Sequence, residues 1–142
     1  MRLLDVNVLV YAARVDATDH SQYADWLQNL VNGNETFAIA DLVFSGFLRV
    51  TTNPRIFKQP STLDEALTFV AKIREAPSFV CLSPGARHRE IFVGLLRSVG
   101  AKGNLVADAY LAALAIESGS EWITTDRDYS RFPGLRWQHP LA

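Results

Sequence analysis

The feature that most constrains this chain is an alternation. Short apolar runs bounded by chain breakers are separated by longer stretches in which apolar residues recur every three or four positions. The breakers fall at Gly33-Asn34, Asn53-Pro54, Pro60, Pro77, Pro84-Gly85, Gly100, Gly103, Gly119 and Pro133-Gly134. Runs of the first kind read as short strands, and the periodic stretches as helices. The pattern predicts strands at 3–4 (Asp5 closing the run), 36–40, 78–82, 121–124 and 135–137. It predicts a helical segment after the first strand, then a helix over 18–31 with Tyr23, Trp26, Leu27 and Leu30 on one face. A further helix is capped by Asp41 and presents Val43, Phe47 and Val50. Another opens at Ser61 or Thr62, where Glu65 completes a capping-box spacing from Thr62. Two more run over 86–99 and 105–118, the last capped by Asn104. Strands alternating with helices make an α/β domain, with a mostly parallel central sheet of four to five strands and helices on both faces.

Length and composition close off other classes. At 142 residues, with no repeat, low-complexity tract or linker, the chain is expected to be a single domain over 1–142. An apolar fraction of 49% with 20% charged residues excludes intrinsic disorder. The lone cysteine, Cys81, reads as a small core side chain in the third strand; it can form no internal disulfide and belongs to no zinc cluster. A reducing, cytoplasmic location follows as the expectation. Arg2-Leu3-Leu4 mimics a signal peptide, but Asp5 and Asn7 interrupt the apolar run and no cleavage pattern follows. The most apolar internal stretch, 109–116, is far short of the ~18 residues a membrane span needs, so a soluble protein without membrane contact is expected.

Four carboxylates stand out from the fifteen acids. Asp5 ends an apolar strand, and in a parallel α/β sheet ligands bind at the carboxyl ends of strands. Asn7 shares its side where the strand continues that far. Asp108 interrupts the most apolar helix, at the edge of the stripe Leu105, Ala109, Ala112 and Ile116. A buried carboxylate there requires a cation, a hydrogen-bonding network or a raised pKa. Asp126 and Asp128 follow the strand Trp122-Ile123-Thr124-Thr125, again at its carboxyl end. Each residue also has a plainer reading: Asp5 and Asp126 as caps, Asp108 as the partner of an arginine, Asp128 as a solvated helix start. Taken together, three segments deliver carboxylates to one sheet edge. Such a set suits Mg²⁺ or Mn²⁺, which prefer oxygen ligands and, when bound, clamp a phosphate and activate a water for in-line displacement.

Charge is unevenly distributed. Residues 1–48 carry two basic and six acidic groups, residues 49–102 nine and four, and residues 103–142 three and five. Arg49, Arg55 and Lys58 open the basic middle and are candidates to meet the phosphates of a ligand, or to form a solvated or partner-facing surface. His20, His88 and His139 are scattered and no Ser or Cys has a nucleophile's setting, so a Ser-His-Asp or Cys-His mechanism has no support.

The residues at these positions resemble a known family. Leu4-Asp5-Val6-Asn7-Val8-Leu9 is similar to the opening motif of PIN-domain nucleases. Asn104-Leu105-Val106-Ala107-Asp108-Ala109-Tyr110-Leu111 resembles their third acidic motif, and Thr124-Thr125-Asp126-Arg127-Asp128-Tyr129 their last. Within that family the likeness is to VapC toxins, the ribonuclease half of type II toxin–antitoxin pairs, and it spans essentially the whole chain. The resemblance implies an RNase H-like α/β/α fold, Mg²⁺- or Mn²⁺-dependent endoribonuclease activity on an RNA such as tRNA or rRNA, a homodimer, and a VapB-type antitoxin as partner. It implies Asp5 and Asp108 as metal ligands, Asp126 as ligand or orienter of a second metal or its water, and Asn7 and Thr125 as orienting residues. One departure stands out: Gly46, in Ser45-Gly46-Phe47-Leu48-Arg49-Val50, occupies the place of the family's usual Glu. Asp128 and Asp41 are the nearest candidates to take over, although Asp41 lies about one and a half helical turns away. Two other classes compete. A degenerate domain would bind RNA or antitoxin without cutting. A phosphatase would use Asp5 as nucleophile, but such enzymes need an acid where this chain has Asn7.

Overall fold

Five short strands pair in the order β3-β2-β1-β4-β5, every pair parallel. The computed structural model describes all of residues 1–142. The strands are β1 (Arg2–Leu4), β2 (Phe37–Ala38), β3 (Phe79–Val80), β4 (Glu121–Ile123) and β5 (Trp137–Gln138). The helices are α1 (Val6–Ala13), α2 (His20–Asn32), α3 (Asp41–Thr51), α4 (Leu63–Arg74), α5 (His88–Val99) and α6 (Asn104–Ser118), with a short 3-10 turn at Arg127–Arg131. The α/β expectation holds, and the sheet is entirely parallel rather than mostly so.

The strand order fixes where ligands can bind. The chain moves outward from β1 to β2 to β3, then crosses back to the other side of β1 for β4 and β5. Right-handed crossovers place the helices of the two directions on opposite faces of the sheet. In keeping with this, α1 packs on α2 and α3, and α3 on α4, whereas α5 and α6 pack on each other. The order reverses between β1 and β4, and the crevice beyond their carboxyl ends is the binding position in such sheets. Their register is Leu3 opposite Trp122 and Leu4 opposite Ile123, so both strands end level with each other.

The core is the inner layer of both helix sets and the sheet. Leu3, Leu4, Phe37, Trp122 and Ile123 from the strands are essentially inaccessible, as are Leu9, Val43 and Phe47 from α1 and α3. On α6, Ala109, Ala112, Ala113 and Ala115 are all buried, and such small side chains let this helix approach β4 closely. Gly119, at φ 67°, takes the left-handed conformation that ends α6 and turns the chain into β4. Thr62 makes the expected capping box: its Oγ1 accepts from Glu65 N–H at 3.1 Å, and Glu65 Oε1 accepts from Thr62 N–H at 3.3 Å. No helix is long and apolar enough to cross a membrane.

Several local expectations are corrected. Asn7 lies in α1, not in an extended β1, because Asp5 caps the helix immediately after Leu4. Asp41 is the first residue of α3 rather than its cap, and its exposed carboxylate pairs with Arg74 at 3.8 Å. Asn104 likewise begins α6, and Gly103, at φ 57°, holds the cap position. Cys81 is exposed, since β3 ends at Val80. The strands β2, β3 and β4 are each shorter than expected by one to three residues, and the last lies at Trp137–Gln138 rather than over 135–137.

Candidate active site

At the β1–β4 switch point, Asp5 is 6% exposed and is the N-cap of α1. Its Oδ1 accepts Val6 N–H at 2.7 Å. Its Oδ2 accepts the Thr124 hydroxyl at 2.7 Å and the Asn7 amide at 3.3 Å. The plain cap reading of Asp5 is therefore correct for one oxygen, while the other is held across the sheet from β4's end. Thr124 is the hub of this arrangement. It is fully buried, and its Oγ1 also accepts Asp126 N–H at 3.0 Å, with the Asn7 Nδ2 at 3.4 Å. Asn7 closes the ring, its Oδ1 accepting Thr125 N–H at 3.2 Å. Thr125 thus takes part through its backbone, and the orienting hydroxyl belongs to its neighbour.

Asp108 comes from the second turn of α6 and is half-buried; the buried Tyr129 donates its hydroxyl to Asp108 Oδ1 at 3.2 Å. No arginine pairs with Asp108: the ion pairs of the structure are Arg2–Glu35, Arg14–Asp16 and Arg74–Asp41. Asp126 caps the 3-10 turn by accepting Asp128 N–H at 2.9 Å, and Asp128 itself is exposed. Asp5, Asn7, Asp108, Asp126 and Tyr129 line one cavity of about 520 Å³.

The electrostatics follow from this crowding. Burial pushes the Asp5 carboxyl up to about 6, against the lowering effect of the Thr124 and Val6 hydrogen bonds, and the charges of Asp108 and Asp126 push it further. Burial also raises Asp108, with Asp126 and Asp128 adding to the rise and the Tyr129 hydrogen bond and Arg131 opposing it. Tyr129 is raised far above the ordinary phenol range by burial and by the charges of Asp5, Asp108 and Asp126, so it remains a donor. These carboxylates share a cavity, and no cation is paired with any of them. A carboxylate has about four lone-pair sites, of which Asp5 uses three, leaving one direction for an ion. The acids do not converge tightly enough for three of them to enclose a point. That suits Mg²⁺, which binds through one or two carboxylates and keeps several waters. The residues present fit such an ion.

Opposite the carboxylates, α3 presents Leu42, Ser45, Gly46, Arg49 and Val50 to the cavity, and the following loop adds Ile56 and Phe57. Arg49 is exposed and reaches the site; Arg55 and Lys58 are exposed on the loop but do not line the cavity. At Gly46 α3 lies close against α1, since a Cβ there would stand 2.9 Å from Val6 Cγ2. A residue larger than glycine would have to displace Val6. Sequence reasoning misses Thr124 and Tyr129, since a threonine closing a strand and a tyrosine in the turn after it break no pattern.

With this geometry established, the comparisons are specific. The model of the PIN domain family matches residues 2–135. The chain is 44% identical to the ribonuclease VapC43 of Mycobacterium tuberculosis over 141 residues, covering 99% of this chain and 96% of that protein. It is 37% identical to ribonuclease VapC37 of the same organism, covering 100% of this chain and 99% of that one. The chain therefore belongs to the PIN-domain family, and to its VapC type. In fold it is similar to VapBC2 from Rickettsia felis bound to a DNA fragment of its promoter, with TM-score 0.69, 20% identity and 97% of each chain covered. It is also similar to Mycobacterium tuberculosis VapC20, a sarcin-ricin loop cleaving toxin, with TM-score 0.66, 15% identity, and 96% of this chain and 99% of that one covered.

Proposed function

We propose that this chain is a Mg²⁺- or Mn²⁺-dependent endoribonuclease, the toxin of a type II toxin–antitoxin pair, that acts as a homodimer and is neutralised by a VapB-type antitoxin. The observation that carries the reading is the convergence of Asp5, Asp108 and Asp126 on one cavity, unpaired with any cation and held by a shared network. The 44% identity to a protein named as a ribonuclease supports the substrate class, and the VapBC complexes of similar fold support the antitoxin. On α4, Leu63 and Leu67 are exposed one turn apart, which supports an interface with a second copy.

Asp5 and Asp108 would hold the ion, with Asp126 ligating or orienting a second ion or a water and Asp128 supporting it. When bound, the ion supplies Lewis-acid stabilisation of a phosphodiester and a more acidic water. The chain's own residues supply the rest. Thr124 and Asn7 fix the Asp5 carboxylate in one rotamer, and Tyr129 holds that of Asp108. Arg49 stands at the cavity to meet a phosphate. The binding-only reading prompted by Gly46 has no further observation in its favour. Nor does the phosphatase reading: Asp5 is tied down at both oxygens, and Asn7 hydrogen-bonds to it rather than serving as an acid.

The test is incubation of the purified protein with tRNA and rRNA in Mn²⁺ or chelator, alongside Asp5→Asn and Asp108→Asn. Cleavage that chelator abolishes, and that falls by on the order of a hundredfold or more in each variant, is expected. Full activity of both variants in Mn²⁺ would overturn the reading.

A further inference from the structure

The cavity wall facing the carboxylates depends on a loop that has its own anchor. The loop after α3 folds on itself: Asn53 C=O accepts the N–H groups of Ile56 and Phe57, each at 3.1 Å, and Ser61 N–H returns to Thr51 C=O at 2.8 Å. This brings Ile56 and Phe57 to the cavity beside Tyr11 and Val50. Against the Phe57 ring lies Arg14, its guanidinium carbon 4.1 Å from the ring centroid. Arg14 Nη1 donates to Ser61 Oγ at 3.1 Å, and Nε and Nη2 donate to the two Asp16 carboxylate oxygens at 3.0 and 2.7 Å. The residue is only 9% exposed.

Those contacts decide what Arg14 does. Nε and both terminal nitrogens are engaged and its surface is covered, so it is not a phosphate ligand; the exposed Arg49 suits that task. Arg14 ties the end of α1 to the loop, gripping the ring and Ser61 at once. The same helix begins at Asp5 and ends at the Arg14 cap, so one eight-residue element spaces the carboxylate site from the loop anchor. The wall it supports is aromatic and aliphatic, in a cavity whose other side is anionic and metal-seeking. A nucleotide has this division: a phosphate for the ionic side and an aromatic base for the apolar one. The volume, 520 Å³, lies within the range of about 300–1,000 Å³ of cavities that enclose small organic groups.

We propose that Arg14 is a positioning residue that holds Phe57 as the wall against which an unpaired nucleobase beside the scissile phosphate packs. The inference rests on the ribonuclease reading and narrows its substrate to RNA whose base at that position is free of pairing and stacking.

The experiment uses a single-stranded RNA carrying the site that the wild-type protein cuts in tRNA or rRNA, and the same RNA with an abasic nucleotide on either side of that bond. In Mn²⁺, Phe57→Ala is expected to raise KM about tenfold, with the loss falling on KM rather than kcat. One abasic RNA should raise KM comparably for the wild-type protein and add almost nothing in Phe57→Ala, because the two changes remove the same contact. Arg14→Gln should show part of the KM loss, and Arg14→Lys, which keeps a cation against the ring, should recover some of it. If Arg14 variants do not fold, Phe57→Leu, which keeps apolar bulk without the ring, reads the same contact. Equal abasic penalties in wild type and Phe57→Ala, or losses confined to kcat, overturn the proposal and leave the ribonuclease reading standing. A wild-type protein that cuts no RNA overturns both.

Discussion

On one side of the cavity the carboxylates come from the two ends of the chain, at the tips of β1 and β4 and in the second turn of α6, and hydrogen bonds hold them. On the other side stand α3 and its loop, from the middle of the sequence, where Leu42, Ile56 and Phe57 are apolar and Arg49 is the one cation. The first side stores unfavourable electrostatics: Asp5 is buried and Asp108 half-buried, with further acids nearby. The second stores none, and Leu42 and Ile56 remain about half-exposed at 47% and 51%. The difference separates tasks. An ion needs donors fixed in advance, and the fold holds them against their mutual repulsion; a flexible polymer needs a surface that tolerates its bases. Near-neutral net charge is consistent with both, since the acidic ends and the basic middle cancel in the total.

The sharpest way to break the comparison is to remove the buried charge of Asp5, which is disfavoured first by burial and then by the neighbouring Asp108 and Asp126. Because Asp5 titrates at about 6 in the folded chain and near 3.8 unfolded, the folded state binds its proton more tightly. The stabilising effect of that proton is complete below about pH 4 and is lost as pH rises through about 6, a change on the order of 3 kcal/mol. Asp5→Asn carries no such charge. In chelator at pH 7.5 it should be more stable than wild type by about 1–2 kcal/mol, since the amide nitrogen cannot accept at one of the two oxygen positions and part of the gain is lost, and the gain should vanish near pH 4. Denaturant melts at the two pH values measure it. An Asn variant no more stable than wild type at pH 7.5 would mean that the carboxylate edge is not strained.

A smaller effect is expected from the hub. Thr124→Val keeps the shape and removes a hydroxyl that donates to Asp5 and accepts from Asp126 N–H. It should weaken Mn²⁺ binding, read by calorimetry, by about 10–100-fold, the usual effect of losing a residue that orients a ligand. Thr125→Val should bind Mn²⁺ as wild type does, since only its backbone N–H is engaged. Equal losses in both variants would mean that the network does not act through Thr124.

These residues also mark where the sequence is readable. Asp5, Asp108 and Asp126 could be found because a charge at a strand's end or on an apolar helix breaks a pattern, and the parallel sheet brings those ends together. Thr124 breaks no pattern, because a β-branched residue closing a strand is ordinary; its importance lies in which carboxylate its hydroxyl meets 119 residues away. An extended strand would carry Asn7 to the side of Asp5; a helix capped at Asp5 brings it there instead, and the two alternatives diverge only at that residue. Cys81 and Asp41 went astray for a related reason: strand length and cap position depend on which neighbour supplies hydrogen bonds, and that is decided by tertiary pairing. The loop wall was the least readable part. Arg14 is one basic residue among fourteen until the fold sets it against Phe57.

The two sides meet at Gly46 and Val6, and the smallest effect belongs there. Replacing a helix-interior glycine by alanine ordinarily stabilises by about 1 kcal/mol, since glycine is the more flexible in the unfolded chain. Here the added Cβ would stand 2.9 Å from Val6 Cγ2, and overpacking of a β-branched neighbour costs about 1–3 kcal/mol. Val6 follows Asp5 directly and its N–H caps into the Asp5 carboxylate, so a displaced Val6 disturbs the ligand as well as the packing. Gly46→Ala should therefore be neutral to destabilising by about 2 kcal/mol and lower Mn²⁺ affinity several-fold, and Val6→Ala in the same chain should restore both. A Gly46→Ala variant that gains the full helix-propensity stabilisation with unchanged Mn²⁺ binding would show that the walls are not coupled at this contact, and that the glycine is dispensable to the site's geometry.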